Sequence, residues 1–487
     1  MFVKLKQLAG QSFVYTVGGA LTSSLSFLLV PLYTRVLTPE DYGILGVVRP
    51  INTFLALLLS FGLQAALMRF YFDYEHEPEK LRAYIGTISG FLLGGGAILS
   101  VFLTAIGPWL FGLVVPETPF NPFILLAIWT AFAALAQIIP TTLFRARQQP
   151  GRFVLFTLAN FLLTTALIIL FVIPLGQGAL GSLKGQFLAT LLTMIPAVFV
   201  AVRSSSVRLS KQYLVQSLAF SLPLVPHLLG NWVLNLSDRI VLDNLVTKEQ
   251  VGLYTLAYQF GIVLNVVAVA LNSAWVPFFY EHAKEREHDQ MVGLFTTYQV
   301  VLMTALGLAL ALLSREIIEV MAVPAYWSAY HLVPLIVLGY FARFLYLFPA
   351  NGLFYIKRTR LIPVFTLCAG ALNITLNLWL VPHFGILAAA LNTLIGFAVL
   401  TVMVYIAGQR IFPIDYEYGR LARLLILSLG LFAVGWWLSP VGLWPRILFK
   451  GTLLVAFPLL LWLSGFFSPA ERKRLLQLWW GLRQRRI

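Results

Sequence analysis

Long apolar stretches separated by short polar connections fill the chain from end to end, and this alternation limits the fold more than any other feature. Fourteen such segments run approximately over residues 10–31, 43–67, 83–106, 121–143, 153–174, 180–202, 214–236, 251–278, 293–313, 329–355, 361–381, 385–407, 421–438 and 447–467. Periodicity does not separate an all-apolar helix from a strand, but length does. Each segment far exceeds the strand of a membrane barrel, roughly 10 residues, and suits a helix crossing the hydrocarbon core, about 20. Charged residues make up 11% of the chain, against about 25% in a soluble protein. The expected fold is an all-α polytopic membrane protein of about 14 transmembrane helices.

A net charge of +15 suggests nucleic acid, but its distribution excludes that partner. Of the 34 lysines and arginines, Arg49 and Arg343 fall deep within segments. Only Arg35, Lys184, Arg239, Lys248, Arg315, Arg446 and Lys450 fall on one side of the alternating segments. The rest lie in the opposite loops and in the tail, which is the positive-inside bias. It predicts cytoplasmic N- and C-termini and an even number of spans in a bacterial cytoplasmic (inner) membrane. Residues 468–487 mix leucine and tryptophan with arginine, as does a helix lying on an anionic leaflet; a stop-transfer anchor is the simpler alternative. The single cysteine, Cys368, forms no internal disulfide and reads as a small core residue.

An internal repeat organises the segments. Leu-Thr-Pro-Glu-Asp-Tyr-Gly at 37–43 recurs as Val-Thr-Lys-Glu-Gln-Val-Gly at 246–252. Leu143-Phe144 recurs as Leu353-Phe354, Phe156-Thr157-Leu158 as Phe365-Thr366-Leu367, and Pro174 as Pro382. One nearly constant offset implies two six-helix lobes, 1–210 and 211–410. They are related by a pseudo-two-fold axis along the membrane normal, with a substrate path between them. Residues 411–467 form two additional helices, followed by the basic tail 468–487.

Ionisable side chains within spans are candidates for function. Arg49 lies about two turns into the second segment and Arg343 near the middle of the tenth. Arg49, Thr53, Ser60 and Gln64 share one helical face. His227, Asn231, Asn235 and Asp238 form a second stripe, with Asp238 and Arg239 expected to close the seventh helix. Tyr258, the repeat mate of Arg49, shares a face with Asn265 and Asn272. Polar faces are costly against lipid and are expected to look into a shared wet interior. Pro50, Pro223, Pro226 and Pro277 interrupt these helices and suit bending. No carboxylate is expected deep in any span, so a cargo facing Arg49 and Arg343 supplies the negative charge. A diphosphate does so through forked hydrogen bonds. No catalytic set, metal-ligand cluster or cofactor motif is present. The short loops on the cation-poor side leave little room for an enzyme's catalytic groups.

These residues also carry a family resemblance over essentially the whole chain. Arg35 to Gly43 resembles the opening signature of polysaccharide flippases. Leu222-Pro223 with Asn235-Leu236-Ser237-Asp238-Arg239, and Ala274-Trp275-Val276-Pro277-Phe278-Phe279-Tyr280, are similar to later ones. The fullest match is Asn373-Ile374-Thr375-Leu376-Asn377 followed by Val381-Pro382-His383-Phe384-Gly385-Ile386-Leu387-Ala388-Ala389-Ala390. The resemblance is to the O-antigen and exopolysaccharide repeat-unit flippases of the multidrug/oligosaccharidyl-lipid/polysaccharide exporter superfamily. It implies two lobes in a V around a cationic cavity, with an undecaprenyl-diphosphate-linked glycan as cargo. Arg49 matches by location the diphosphate-binding arginines of related lipid II flippases. A glycan polymerase and a chain-length regulator are candidate partners. A lipid II flippase and a drug/cation antiporter, which needs a buried carboxylate, are the alternatives.

Overall fold

The computed structural model describes residues 27, 29–206, 209–282, 289–469, 471–473 and 477. The expected first span lies outside the described residues except for its last few, and so does most of the basic tail. The chain runs through α1 (Val30–Val36), α2 (Pro39–Ser60), α3 (Leu63–Tyr74), α4 (Pro78–Gly90), α5 (Gly96–Val114), α6 (Leu125–Ala146), α7 (Pro150–Val172) and α8 (Gly178–Ser204). It continues through α9 (Lys211–Ser221), α10 (Val225–Leu245), α11 (Lys248–His282), α12 (Asp289–Leu312), α13 (Ser314–Met321), α14 (Val333–Tyr355), α15 (Leu361–Ile411), α16 (Tyr418–Trp437) and α17 (Leu443–Leu463). Among the described residues there is no strand.

Twelve helical stretches among the described residues are long and apolar enough to cross a membrane. One of them, α15, spans 51 residues and holds two of the expected segments. It breaks at Gly385, where φ is 58° and ψ −148°, a conformation a side chain would strain. Every expected span from residue 43 onward therefore has its helix. The Gly94-Gly95-Gly96 run produces a π-helical turn over Phe91–Gly95 that joins α4 to α5.

Lipid supplies no hydrophobic drive between helices, so close packing and internal hydrogen bonds must assemble them. The repeated motif does both. Thr38 caps α2, its hydroxyl accepting from the Asp41 amide at 3.1 Å while Asp41 accepts from the Thr38 amide at 3.2 Å. The other Asp41 oxygen accepts from Ala179 N at 2.8 Å, tying the start of α2 to the start of α8. In the second copy, Thr247 Oγ1 accepts from Gln250 N at 3.4 Å as α11 begins.

The two copies then meet each other. A Cβ on Gly43 would lie 1.9 Å from the Lys248 carbonyl oxygen, and a Cβ on Gly252 would lie 1.9 Å from the Pro39 carbonyl oxygen. Lys248 is to Gly252 what Pro39 is to Gly43, so the contact maps onto itself under the repeat. One turn deeper, Gly46 faces its own repeat mate, Thr255. The first turns of α2 and α11 thus cross with backbones touching, at the cation-poor end of the bundle. The first lobe gathers α6, α7 and α8 beside α2; the second gathers α10, α14 and α15 beside α11.

The last two helices are fastened to the second lobe at both ends. At the cation-poor end, Lys450 Nζ of α17 donates to both oxygens of buried Glu316 at 2.9 Å. Arg446 bridges to Glu319, which also accepts from Arg315 Nε at 2.9 Å. At the other end, Arg420 Nη2 of α16 pairs with Glu471 at 2.7 Å, and Tyr298 of α12 donates to Glu471 at 2.9 Å. Arg239, Arg446 and Lys450, expected in loops, therefore lie within helices as buried groups. Cys368, expected in the core, lies on an exposed face of α15.

Burial pushes the Glu319 carboxyl up, but hydrogen bonds from Arg315 and Arg446 outweigh it and hold it below its ordinary 4.5. A carboxyl lowered in this way stabilises the fold at neutral pH, and the contribution disappears as pH falls through the folded value. Thermal unfolding of wild type should therefore weaken more steeply below about pH 4.5 than that of Glu319→Gln.

Candidate functional site

The stripe on α2 faces the junction of the lobes. Pro50 has no amide to donate, and its carbonyl accepts from Trp232 Nε1 of α10 at 3.0 Å. The Trp232 ring packs against Phe54 with ring centres 5.0 Å apart and planes tilted by 50°. One position earlier, half-buried Arg49 reaches α8, where Nη2 lies 3.5 Å from Ser182 Oγ. Thr53 is exposed and donates to the Arg49 carbonyl at 3.0 Å. Further along, Ser60 and Gln64 line a cavity of about 600 Å³ together with Ala56, Leu57, Arg145 and Leu228. Residues of α2, α3, α6 and α10 meet in its wall, so the cavity sits between the lobes toward the cation-rich end. Arg145 was not among the expected site residues because its position at the end of α6 reads as one more loop cation.

On α10 the second stripe forms a ladder. Asn231 Nδ2 lies 3.1 Å from His227 Nε2, and Asn235 Nδ2 donates to the Asn231 carbonyl at 2.6 Å. Arg343 Nη1 of α14 donates to Asn235 Oδ1 at 2.5 Å. Its guanidinium sits 5.6 Å from the Phe397 ring centre and 5.9 Å from that of Tyr340. Arg49 and Arg343 thus share one property. Among the described residues neither pairs with a carboxylate, and each is held by neutral groups.

Two expectations need correction. α10 does not close at Asp238 and Arg239; it continues to Leu245. The polar run Ser237-Asp238-Arg239 lowers the hydropathy of a segment that the fold nevertheless buries, and hydropathy alone stopped short there. Asp238 is fully buried, so a carboxylate does lie at depth. One oxygen accepts from Tyr254 and, at 3.0 Å, from Thr393 Oγ1. The other has no hydrogen-bond partner among the described residues. Arg239 is buried beside it, donating to the Asn235 carbonyl at 3.0 Å and stacking 4.0 Å over Tyr258.

Tyr258 accordingly packs inside the second lobe against Arg239 and Tyr340, not in the cavity. Asn272 accepts from Asn351 of α14 at 2.8 Å, and Asn265 is half-buried on the same helix. Tyr258 and Asn272 thus meet their neighbours within their own lobe, which a single helix's periodicity does not distinguish from facing a cleft. Pro223 lies within the 3₁₀ turn Leu222–Leu224 that separates α9 from α10, Pro226 lies in the first turn of α10, and Pro277 lies inside α11.

Comparison with known proteins agrees with this architecture. The chain resembles a solved lipid II flippase, MurJ, in an inward closed conformation. The TM-score is 0.72 at 12% identity, over 94% of this chain and 98% of that one. It also resembles an inward-facing multidrug resistance MATE family transporter of the MOP superfamily, with a TM-score of 0.63 at 16% identity over 80% and 94%. At these identities the likeness is one of fold. Protein 1 of the Lsg locus of Haemophilus influenzae is 24% identical over 285 residues, which are 57% of this chain and 67% of that protein. The sequence model described as "Polysaccharide biosynthesis protein" matches residues 8–282. That span exceeds half the chain, and the chain therefore belongs to the polysaccharide biosynthesis protein family.

Proposed function

We propose that this membrane protein is a flippase carrying an undecaprenyl-diphosphate-linked oligosaccharide repeat unit from the cytoplasmic to the outer leaflet. The lobes 1–210 and 211–410 rock about the cleft, exposing it alternately to each side, with the cation-rich end in the cytoplasm. One observation carries the reading: Arg49 and Arg343 sit within spans with only neutral partners among the described residues. Cations at membrane depth are costly without a counter-charge, so the cargo supplies it. A diphosphate accepts the forked bonds an arginine offers. The cavity beside Ser60, Gln64 and Arg145 gives such a head group an entry from the cytoplasmic side.

Asp238 reopens the antiporter alternative, since that mechanism needs a buried carboxylate. Its surroundings argue against cationic cargo there. Tyr254 and Thr393 occupy one oxygen and Arg239 lies adjacent, inside the second lobe and away from the cleft.

The test is glycan export in a flippase-null bacterium expressing this chain. Losing a hydrogen bond from a charged donor costs roughly 1.5–3 kcal/mol, so Arg49→Ala and Arg343→Ala should each weaken cargo use about ten- to hundredfold. Lysine at either position should restore only part, because the fork is lost. Normal export by both alanine variants would refute the cationic cleft. Rescue of a strain lacking its lipid II flippase would move the cargo to that lipid.

A further inference from the structure

The first lobe contains a second, differently built cavity. It occupies about 360 Å³ between α6, α7 and α8, and none of its lining residues is charged. Gln137, Asn160 and Gln186 contribute amide side chains to its lining, Thr164 a hydroxyl, and Phe156 and Phe161 aromatic rings. All of these positions lie within helices long and apolar enough to span the membrane.

Part of this polarity joins the helices. Gln137 Nε2 donates to Thr193 Oγ1 at 2.8 Å, and Thr193 donates to Asn160 Oδ1 at 3.2 Å. Polar bridges of that kind hold membrane helices together. The remainder does not serve that purpose. The Gln186 amide and the Thr164 hydroxyl line the cavity and have no side-chain partner among the described residues. Both side chains are half-buried within helices that span the membrane, where a polar group requires a partner, and here the partner comes from whatever fills the cavity.

The chemistry of the lining identifies the occupant. Amides and hydroxyls without charge match sugar hydroxyls, which donate and accept alike. Aromatic faces match the C–H face of a sugar ring. A phosphate would find no cation there, and a drug-like cation no carboxylate. The volume is at the small end for ligand sites and suits roughly one sugar ring.

Position supplies a second argument. Arg145 lines the inter-lobe cavity, and its Nε donates at 3.2 Å to the carbonyl of Thr141, which lines this one. On α8, Ser182, the partner of Arg49, stands one turn before Gln186 on the same face. The first sugar of a lipid-linked glycan is bonded directly to the diphosphate. A sugar site must therefore adjoin the phosphate site, as this cavity adjoins Arg145 and, by way of Ser182, Arg49.

We infer that the α6–α7–α8 cavity is a glycan subsite that receives a neutral sugar ring of the cargo while the arginines hold its diphosphate; this rests on the flippase reading above. The test measures binding by the full-length protein in lipid nanodiscs. The probes are undecaprenyl diphosphate alone and undecaprenyl diphosphate bearing a neutral trisaccharide. Wild type should bind the glycan-bearing lipid about tenfold more tightly, the gain from two modest hydrogen bonds. Gln186→Leu with Thr164→Val should erase that difference and leave the affinity for the sugar-free lipid unchanged.

Equal wild-type affinity for the two probes, or a difference that survives in the variant, overturns the subsite and leaves the flippase reading standing. Equal loss for both probes makes the polar residues structural and also overturns it. Binding of neither probe by wild type, or binding indifferent to Arg49→Ala and Arg343→Ala, overturns the flippase reading and the subsite with it.

Discussion

Replacing Gly43 or Gly252 with alanine is expected to abolish export, by about a hundredfold or more, because a single methyl group cannot fit where α2 and α11 cross. Each Cβ would stand 1.9 Å from a carbonyl oxygen of the opposite lobe. The obstructing atoms are backbone, so no rotamer change relieves the overlap, and the helices must separate. Closure of the cation-poor end in the proposed alternating cycle would then fail. Weakened helices are not the explanation, since alanine exceeds glycine in helix propensity by roughly 1 kcal/mol. Gly451→Ala, where nothing lies within 4 Å of the added carbon, is the matched control and should export normally. A cysteine placed at Thr255, beside Gly46, in a Cys368→Ala background reports the crossing directly. Membrane-impermeant thiol reagent should label it faster in the Gly43→Ala and Gly252→Ala backgrounds. Unchanged labelling together with normal export would show that the lobes do not seal at this point.

The second large effect is expected at Lys450. Its ammonium and the Glu316 carboxylate are each nearly inaccessible, 4% and 3% exposed, and 2.9 Å apart. Removing Lys450 leaves buried Glu316 with only the longer 3.5 Å contact to Arg446 Nε, and breaking a buried pair in this way costs up to about 3–5 kcal/mol. Lys450→Leu should therefore lower the midpoint of thermal unfolding markedly in detergent. The double variant Glu316→Leu with Lys450→Leu should recover most or all of the loss, since apolar groups of similar volume often replace a buried pair without penalty. The fastening of α17 to α13 would be disproved as a stability element by a single variant that unfolds like wild type.

Legibility in the sequence followed the range of the interaction concerned. Each apolar segment from residue 43 onward was visible because crossing lipid is a demand on about 20 consecutive residues. The repeat was visible because both lobes enter their second span the same way, Thr38 and Thr247 each capping a helix. The end of α10 was not visible. Asp238 and Arg239 look like a helix boundary until Tyr254, Tyr258 and Thr393, from two other helices, surround them.

Direction was equally hidden. The stripe Tyr258, Asn265 and Asn272 was as legible as Arg49, Thr53, Ser60 and Gln64. Yet Tyr258 packs against Arg239 and Asn272 bonds to Asn351, both within their own lobe, while Ser60 and Gln64 line the cavity between lobes. The neutral pocket escaped notice because Gln137, Asn160 and Gln186 belong to three helices, and no single one is exceptional. The sequence by itself determined the membrane-spanning helices, the two related halves and the family, because hydropathy, caps and motifs are properties of neighbouring residues. Only the tertiary structure decided which polar faces look into a cleft, which are bonded away inside a lobe, and where two glycines let the halves touch. Those outcomes depend on which helix lies opposite.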